Sequence, residues 1–432
     1  MRLDPFGQSY STDPATVWRH LLDSGERVAY DDELDMWLIA GHELARTVLA
    51  DPRRFSSATT LTPMQDPHAD AAAILARLDM PPVTLNADAP THTRTRAALA
   101  AVLATTSLRT EQRWADLVRR HAEHFADHLA HHLAATPWPD VDLVELFASR
   151  LPLSVLLDIL GIPADDMARI AAWADNFAAL FWGRLDDDEQ ISAANGLLAL
   201  WDFCRDIVVL RAGTHQDGQP TGLIGDLVRY RNGDDNRLTL PETSALVLTL
   251  LIAGWESTAA ALTHALEYAL SDRIRWARLA ADGHYASIHT EETLRHSPAI
   301  DAVLRVTTTD VDLDGILIPA GSRCLVLIGA ANHDPGVFEQ PGTFQPGRAR
   351  LGQHLSFGAG PHACLGAALA RLYLSTALSI LARRLPNLTR ADGFAHRYRT
   401  SASMRQHTSL PATLGPARCP VAHGQLPLVG QS

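Results

Sequence analysis

Thr239-Leu240-Pro241-Glu242 opens a run to about Ser271 whose centre, Ala245 to Ala253, is apolar on nearly every face except at Thr249. The opening residues form a capping box: threonine can accept from the backbone, glutamate three positions on can return the bond, and proline sits early in the first turn. A helix is therefore expected from about 240 to 271, some ~45 Å long at 1.5 Å per residue. A helix that is apolar all round must be buried all round. Only a large, helix-rich domain can supply that cover, and 432 residues that are 47% hydrophobic and 20% charged provide the material for it.

The rest of the chain fits such a domain. Ala, Leu and Arg recur at helical spacing from about 90 to 135, 140 to 182, 190 to 230 and 364 to 384. Strand signals are short: Met36-Trp37-Leu38-Ile39, Val303 to Thr309 and Arg323 to Ile328, bounded by turns such as Asp314-Gly315 and Pro319-Ala320-Gly321. The expected class is mainly α, an α-rich α+β arrangement. Without a linker, charge block or internal repeat, residues 1–432 read as one domain, with a loosely ordered tail from about 415.

A net charge of −12 argues against a nucleic-acid partner. Four cysteines, at 204, 324, 364 and 419, lie far apart with no CxxC pair, which suggests neither a disulfide framework nor a zinc site and points to a reducing compartment. Charges and prolines between Met1 and Tyr30 exclude a signal peptide or membrane anchor there, and the purely apolar stretches are shorter than the roughly 18 residues a bilayer span needs. A cytoplasmic protein is the expectation.

Two interruptions of the pattern carry chemistry. In the long helix, Ala253-Gly254-Trp255-Glu256-Ser257-Thr258 places polar groups where burial is deep. Ser257 can bond the carbonyl of Ala253, bending the helix and opening a groove. Trp255 reads as core packing. The second interruption is Phe357-Gly358-Ala359-Gly360-Pro361-His362-Ala363-Cys364-Leu365-Gly366, a glycine-shaped loop that runs into an apolar helix. Its cysteine is placed to hold a metal. The helical spacing starts at or just after Cys364, so the sulfur is expected at a helix N-terminus, where free N–H groups and the dipole favour a thiolate.

That loop resembles the cysteine-ligand segment of the cytochrome P-450 superfamily, the haem-thiolate monooxygenases. The resemblance implies the P-450 fold, with long helices around haem b and a minor sheet, and makes Cys364 the axial ligand and sole metal ligand. Phe357 would shield the iron–sulfur bond. Gly366 would let the next helix lie close to the macrocycle, and Gly358 and Gly360 would let N–H groups approach the sulfur. Asp88-Ala89-Pro90-Thr91-His92-Thr93-Arg94-Thr95-Arg96 resembles the segment that touches the propionates. His92, Arg96, Arg305 and His362 would then bind those carboxylates.

Gly254 would leave room for dioxygen, and Glu256 with Ser257 or Thr258 would deliver protons; serine at 257 stands where the family usually has threonine. Glu292-Thr293-Leu294-Arg295 resembles the family's structural acid–base pair, completed by Arg348, whereas Glu43-Leu44-Ala45-Arg46 has the same form and reads as a surface pair. Asn332-His333-Asp334-Pro335 and His354-Leu355 extend the resemblance, which spans about Trp37 to Pro411; Tyr373 stands where glutamate is common.

The implied activity is dioxygen-dependent oxidation of a small hydrophobic or aromatic substrate, with a tailoring step in natural-product biosynthesis as the family-level expectation. Electrons would come from NAD(P)H through a separate ferredoxin reductase and ferredoxin, docking near Arg109, Arg113 or Arg371. The substrate pocket would draw on Leu61 to Leu85, Asn176 to Trp182, Ile252, Ala253, Ala299 to Val303, and Met404. Two other readings are oxidative C–C or C–N coupling of aromatic substrates by the same haem, and a haem-binding sensor without catalysis.

Overall fold

A computed structural model of the chain describes residues 3–104, 108–135, 140–213, 222–391, 393, 397–399 and 401–415. The expected tail lies outside them, apart from its first residue. The long helix forms as the sequence dictates, over Leu240–Leu270. Glu242 N–H donates to Thr239 Oγ1 at 3.1 Å, and Thr239 N–H donates to the Glu242 carboxylate at 2.9 Å, so the capping box closes in both directions. By length and composition the helix could cross a membrane, yet 67% of its most apolar window is buried inside the protein.

Other helices supply the cover. Leu246, Val247, Leu248 and Leu251 pack with Leu153 and Leu157 of the Arg150–Leu160 helix and with Leu197, Leu200, Trp201 and Cys204 of Asp187–Gly213. Beyond the polar interruption, Ala261, Leu262, Ala265 and Leu266 meet Val118, Phe125 and Leu129 of Leu108–Ala135 and Leu374, Leu378 and Leu381 of Ala367–Arg384. Each fully buried Leu or Val stabilises this arrangement by roughly 1.5–3 kcal/mol.

The minor sheet has five strands in the order Val28–Asp31, Met36–Ile39, Arg323–Leu327, Ala302–Thr307 and Phe55–Ser56. Met36–Ile39 runs parallel to Arg323–Leu327 with Trp37 opposite Cys324, and Ala302–Thr307 runs antiparallel to it with Arg305 opposite the same cysteine. Among the described residues a three-stranded sheet and two two-stranded sheets, one of them the Val311–Leu313 and Ile316–Ile318 hairpin, complete the β part.

Several expected elements differ. The expected helix over 140–182 is divided: a bend at Gly161, left-handed at φ 78°, and Pro163 end Arg150–Leu160, and Asn176, left-handed at φ 62°, separates Met167–Ala174 from Phe177–Trp182. The expected spans 90–135 and 190–230 contain Thr91–Ala104, Leu108–Ala135, Asp187–Gly213 and Gly222–Arg231, with 105–107 and 214–221 outside the described residues. The helix after the cysteine loop begins at Ala367 with Gly366 as its cap, just after Cys364 as expected.

Candidate active site: a cysteine loop opposite a helix groove

Gly358 and Gly360 both adopt left-handed backbone, φ 69° and 68°, in the cysteine loop. A Cβ on Gly360 would lie 2.6 Å from Ala50 Cα and 2.8 Å from the Leu49 carbonyl, so this glycine lets the loop dock on the His42–Ala50 helix. Cys364 N–H donates to the Phe357 carbonyl at 2.8 Å and closes the turn that presents the thiol. Phe357 lies under the Arg371 guanidinium, 4.5 Å from ring centre to carbon. Glu291 holds that arginine, and also accepts from His354 at 3.1 Å. Burial works against this carboxyl's charge, yet the His354 and Arg371 bonds hold its pKa down at about 2.

The expected helix-terminal thiolate needs correction. Burial pushes the Cys364 thiol above its ordinary pKa, and the Gly366 N–H, Arg96 and Arg371 only oppose that rise. The N–H of Gly366, the cap of the following helix, does favour the thiolate, but desolvation outweighs it.

Cations gather beside the loop. Arg96 donates to the Ala363 carbonyl at 2.6 Å. Arg305 is buried, bonds only the Leu304 carbonyl, at 2.7 Å, and has no ion pair among the described residues. Burial lowers its pKa to about 10, which Asp88 opposes. The rings of His92 and His362 lie 4.1 Å apart, and both Nε2 atoms are buried without a partner. Buried cations and orphaned ring nitrogens call for an anion. Asp88 supplies part of it, accepting from Ser56 Oγ and from Ser57 N–H at 3.1 Å. Its side chain had no signal of its own in the sequence beyond the segment that contains it.

The long helix supplies the other wall. Ala253 is exposed and Gly254, Ser257 and Thr258 are half-buried, although the turns on either side are buried. Ser257 Oγ donates to the Ala253 carbonyl at 2.6 Å, as its spacing predicts. Trp255 packs in the core and donates its indole N–H to the Ser149 carbonyl at 2.9 Å. A Cβ on Gly254 would meet Leu156 Cδ2 at 3.3 Å, so its missing side chain also lets the Arg150–Leu160 helix approach.

Glu256 is buried, and burial pushes its pKa up to about 8, with Arg399 lowering and Asp175 raising it. It shares a small cavity with Arg399, Ser401, Met404 and Gln406. Arg399 in turn donates to Asn176 at 2.7 Å and pairs with Asp175 at 2.9 Å. Sequence reasoning missed this arginine because only tertiary structure brings the C-terminal hairpin over the helix.

The expected pocket segments converge above this space. Trp182 Nε1–H donates to the Thr60 carbonyl at 3.0 Å, Met64 N–H donates to Phe181 at 2.8 Å, and Ile300 pairs with Met404 across an isolated bridge. Of the expected docking arginines, Arg113 is exposed, Arg371 is tied to Glu291, and the Arg109 side chain lies outside the described residues.

The thiol in an open loop, buried Arg305 without an ion pair among the described residues, the orphaned ring nitrogens of His92 and His362 and the groove on the helix fit a thiolate-ligated haem: Cys364 for the iron, Arg96, Arg305, His92 and His362 for the propionates. Comparison with known proteins agrees. The cytochrome P-450 family model matches residues 283–389. The chain is 32% identical over 391 residues, 89% of its length and 87% of the other's, to cytochrome P-450 monooxygenase PikC of Streptomyces venezuelae. It is 32% identical over 386 residues to nocardicin C N-oxygenase of Nocardia uniformis subsp. tsuyamanensis, covering 88% of this chain and 89% of that one. The solved structure of cytochrome P-450 CREJ with (4-ethylphenyl) dihydrogen phosphate superposes with a TM-score of 0.86 at 27% identity, covering 95% of this chain and all of that one.

The fold and the site define a haem-thiolate oxidoreductase. The chain belongs to the cytochrome P-450 family, among its bacterial monooxygenases.

Proposed function

We propose that residues 1–432 form one haem-thiolate unit that inserts oxygen from dioxygen into a small, largely apolar or aromatic molecule, in a tailoring step of natural-product biosynthesis in the cytoplasm. The observation that carries the reading is Cys364, exposed in a loop flanked by buried Arg305, which has no ion pair among the described residues, and by the unpartnered ring nitrogens of His92 and His362. When bound there through the Cys364 thiolate, haem would supply the two-electron activation of dioxygen. The chain's own residues do the rest. Arg96, Arg305, His92 and His362 would hold the propionates, while the Arg371 charge favours the thiolate and Phe357, stacked under it, would shield the iron–sulfur bond.

Glu256 is proposed as the proton reservoir. Its raised pKa keeps the carboxyl protonated at neutral pH, and an acid near pH 7 donates efficiently. Ser257, oriented by its bond to Ala253, and Thr258, one position on, are the candidates to pass that proton into the groove. Phe177, Phe181, Trp182, Met64 and Leu61 favour an aromatic or hydrophobic guest, which matches the ethylphenyl group in the CREJ structure's name. The pairing with PikC and nocardicin C N-oxygenase supports the biosynthetic setting. Electrons would come from NAD(P)H through a ferredoxin reductase and a ferredoxin, with exposed Arg113 offering a docking charge.

The test is turnover with a surrogate ferredoxin and reductase under labelled dioxygen. Label in the product supports oxygen insertion. Product without label would point to oxidative coupling, and ligand binding without turnover to a sensor. The reduced carbonyl form should show the thiolate-shifted Soret band, and Cys364→Ala should lose it.

A further inference from the structure

The Leu108–Ala135 helix carries histidines at 121, 124, 128, 131 and 132. At about 100° per residue these fall within one sector roughly 100° wide, so they form a stripe along one face over about three turns. The stripe borders a groove floored by Phe125, Leu129, Leu146 and Met167, and no residue assigned to the haem lines it. Its members are not equivalent. His121 is committed: one ring nitrogen meets Asp158 and the other Ser154, each at 2.9 Å. His131 bonds the Asp127 carbonyl through Nδ1 at 2.8 Å.

His124 and His128 are both exposed, and their rings stand edge to face with centroids 4.6 Å apart. Among the described residues, neither ring has a hydrogen bond or an ion pair through its nitrogens. Two imidazoles on one transition-metal ion, at N–metal distances of about 2.0–2.1 Å, place their centroids roughly 4.5–5.5 Å apart for angles between square and tetrahedral. The observed pair already stands at that separation. Spacing of four residues on a helix is also the spacing by which two histidines reach one ion.

We propose that His124 and His128 form a two-imidazole site for a divalent transition-metal ion, independent of the haem. No third donor stands close enough to complete a protein cage among the described residues, so water would fill the remaining positions. Two nitrogen donors on an exposed helix face favour copper(II), then nickel(II) and zinc(II). Arg120 and Arg150 line the groove and oppose cation binding, while Asp158 offsets one of those charges. Binding requires neutral imidazoles and therefore weakens on acidification.

The haem-loaded full chain is titrated with copper(II) chloride by calorimetry and followed by electron paramagnetic resonance. One equivalent should bind with two imidazole nitrogens in the spectrum, and His124→Ala or His128→Ala should each weaken it by about tenfold or more. The double variant should lose that equivalent while the reduced carbonyl spectrum stays unchanged. His284→Ala, which removes an exposed histidine from another helix, should leave binding intact. Unchanged binding in the double variant, equal weakening by His284→Ala, or a spectrum with fewer than two imidazoles would each overturn the site.

Discussion

Ser257 and Thr258 offer two hydroxyls beside one buried acid, but only Ser257 has a fixed direction. Its proton is spent on the Ala253 carbonyl, which leaves oxygen lone pairs free to accept a proton, while the Thr258 hydroxyl has no recorded bond among the described residues. Ser257→Ala should therefore lower product formed per NAD(P)H consumed by roughly tenfold or more, with Thr258→Ala within about twofold of the parent. Equal losses would assign the role to both. The cysteine loop makes a second contrast between neighbours. Gly358 and Gly360 share left-handed φ, but a Cβ on Gly358 meets nothing closer than 3.9 Å, whereas one on Gly360 strikes backbone at 2.6 Å. Gly358→Ala should cost about 1–2 kcal/mol, the strain alone. Gly360→Ala should cost about 3 kcal/mol or more and release haem, because Ala50 and Leu49 are backbone that cannot swing aside. Thermal unfolding and haem retention of the two variants measure the difference.

The helix Gly283–His296 shows how position, not motif, decides what an acid–base pair is worth. Glu292 and Arg295 are fully buried at 2.8 Å; Arg348 adds a contact at 3.0 Å, and Gln345 N–H donates to the same carboxylate at 2.8 Å. Arg295 also donates to the Asn332 carbonyl at 2.9 Å, and Asn332 caps Leu355 N–H at 2.7 Å just before the cysteine loop. Glu292→Ala leaves two buried guanidiniums without a counter-charge and should cost about 3–5 kcal/mol in denaturant unfolding. Arg46→Ala breaks the same sequence pattern on an exposed surface and should stay within about 0.5 kcal/mol. Similar losses in the two variants would contradict the distinction. The sequence separated these copies only through their surroundings. The long helices were legible because a 3.6-residue period repeats many times, and the cysteine loop because its residue types have few other uses together. Strands such as Pro411–Leu414 were not, since that strand is four residues long and its partners, Val141–Asp142 and Leu388–Arg390, lie elsewhere in the chain. The same remoteness hid Arg399 over Glu256. The rise of the Cys364 thiol was not legible for a related reason: helical spacing indicates the next helix but not how strongly the neighbours of an exposed cysteine desolvate its sulfur.

Across the whole molecule, buried groups of opposite sense set how stability depends on pH. Burial lowers His289 and His296 to about 4, with backbone bonds opposing, and holds His264 and His333 well below the ordinary value. Burial also raises Glu256 to about 8 and Asp301 to about 7, with arginines opposing. The unfolded chain binds protons at these histidines below about pH 6.5 while the native chain does not, so each destabilises the fold as pH falls from there toward 4. The two carboxyls act the other way: native but not unfolded protein keeps their protons above about pH 4.5, so stability falls as pH rises through 7 for Asp301 and 8 for Glu256. Glu291, held at about 2, adds stability above the ordinary carboxyl range that is lost as pH drops through it. Between pH 4.5 and 6.5 these four imidazoles, with the lowered His92 and His362, outweigh two carboxyls, and stability climbs; between about 7 and 8 the Glu256 contribution continues, and stability falls by on the order of 1 kcal/mol per unit. The unfolding free energy should therefore peak near pH ~6.5. Glu256→Gln removes the alkaline decline and leaves the acid limb in place, so the variant should gain on the parent as pH rises from 6 to 8. Denaturant unfolding of both proteins across pH 5 to 9 measures this, and a parent curve that keeps rising to pH 9, or a variant that declines in parallel with it, would show that Glu256 is ionised in the native state at neutral pH.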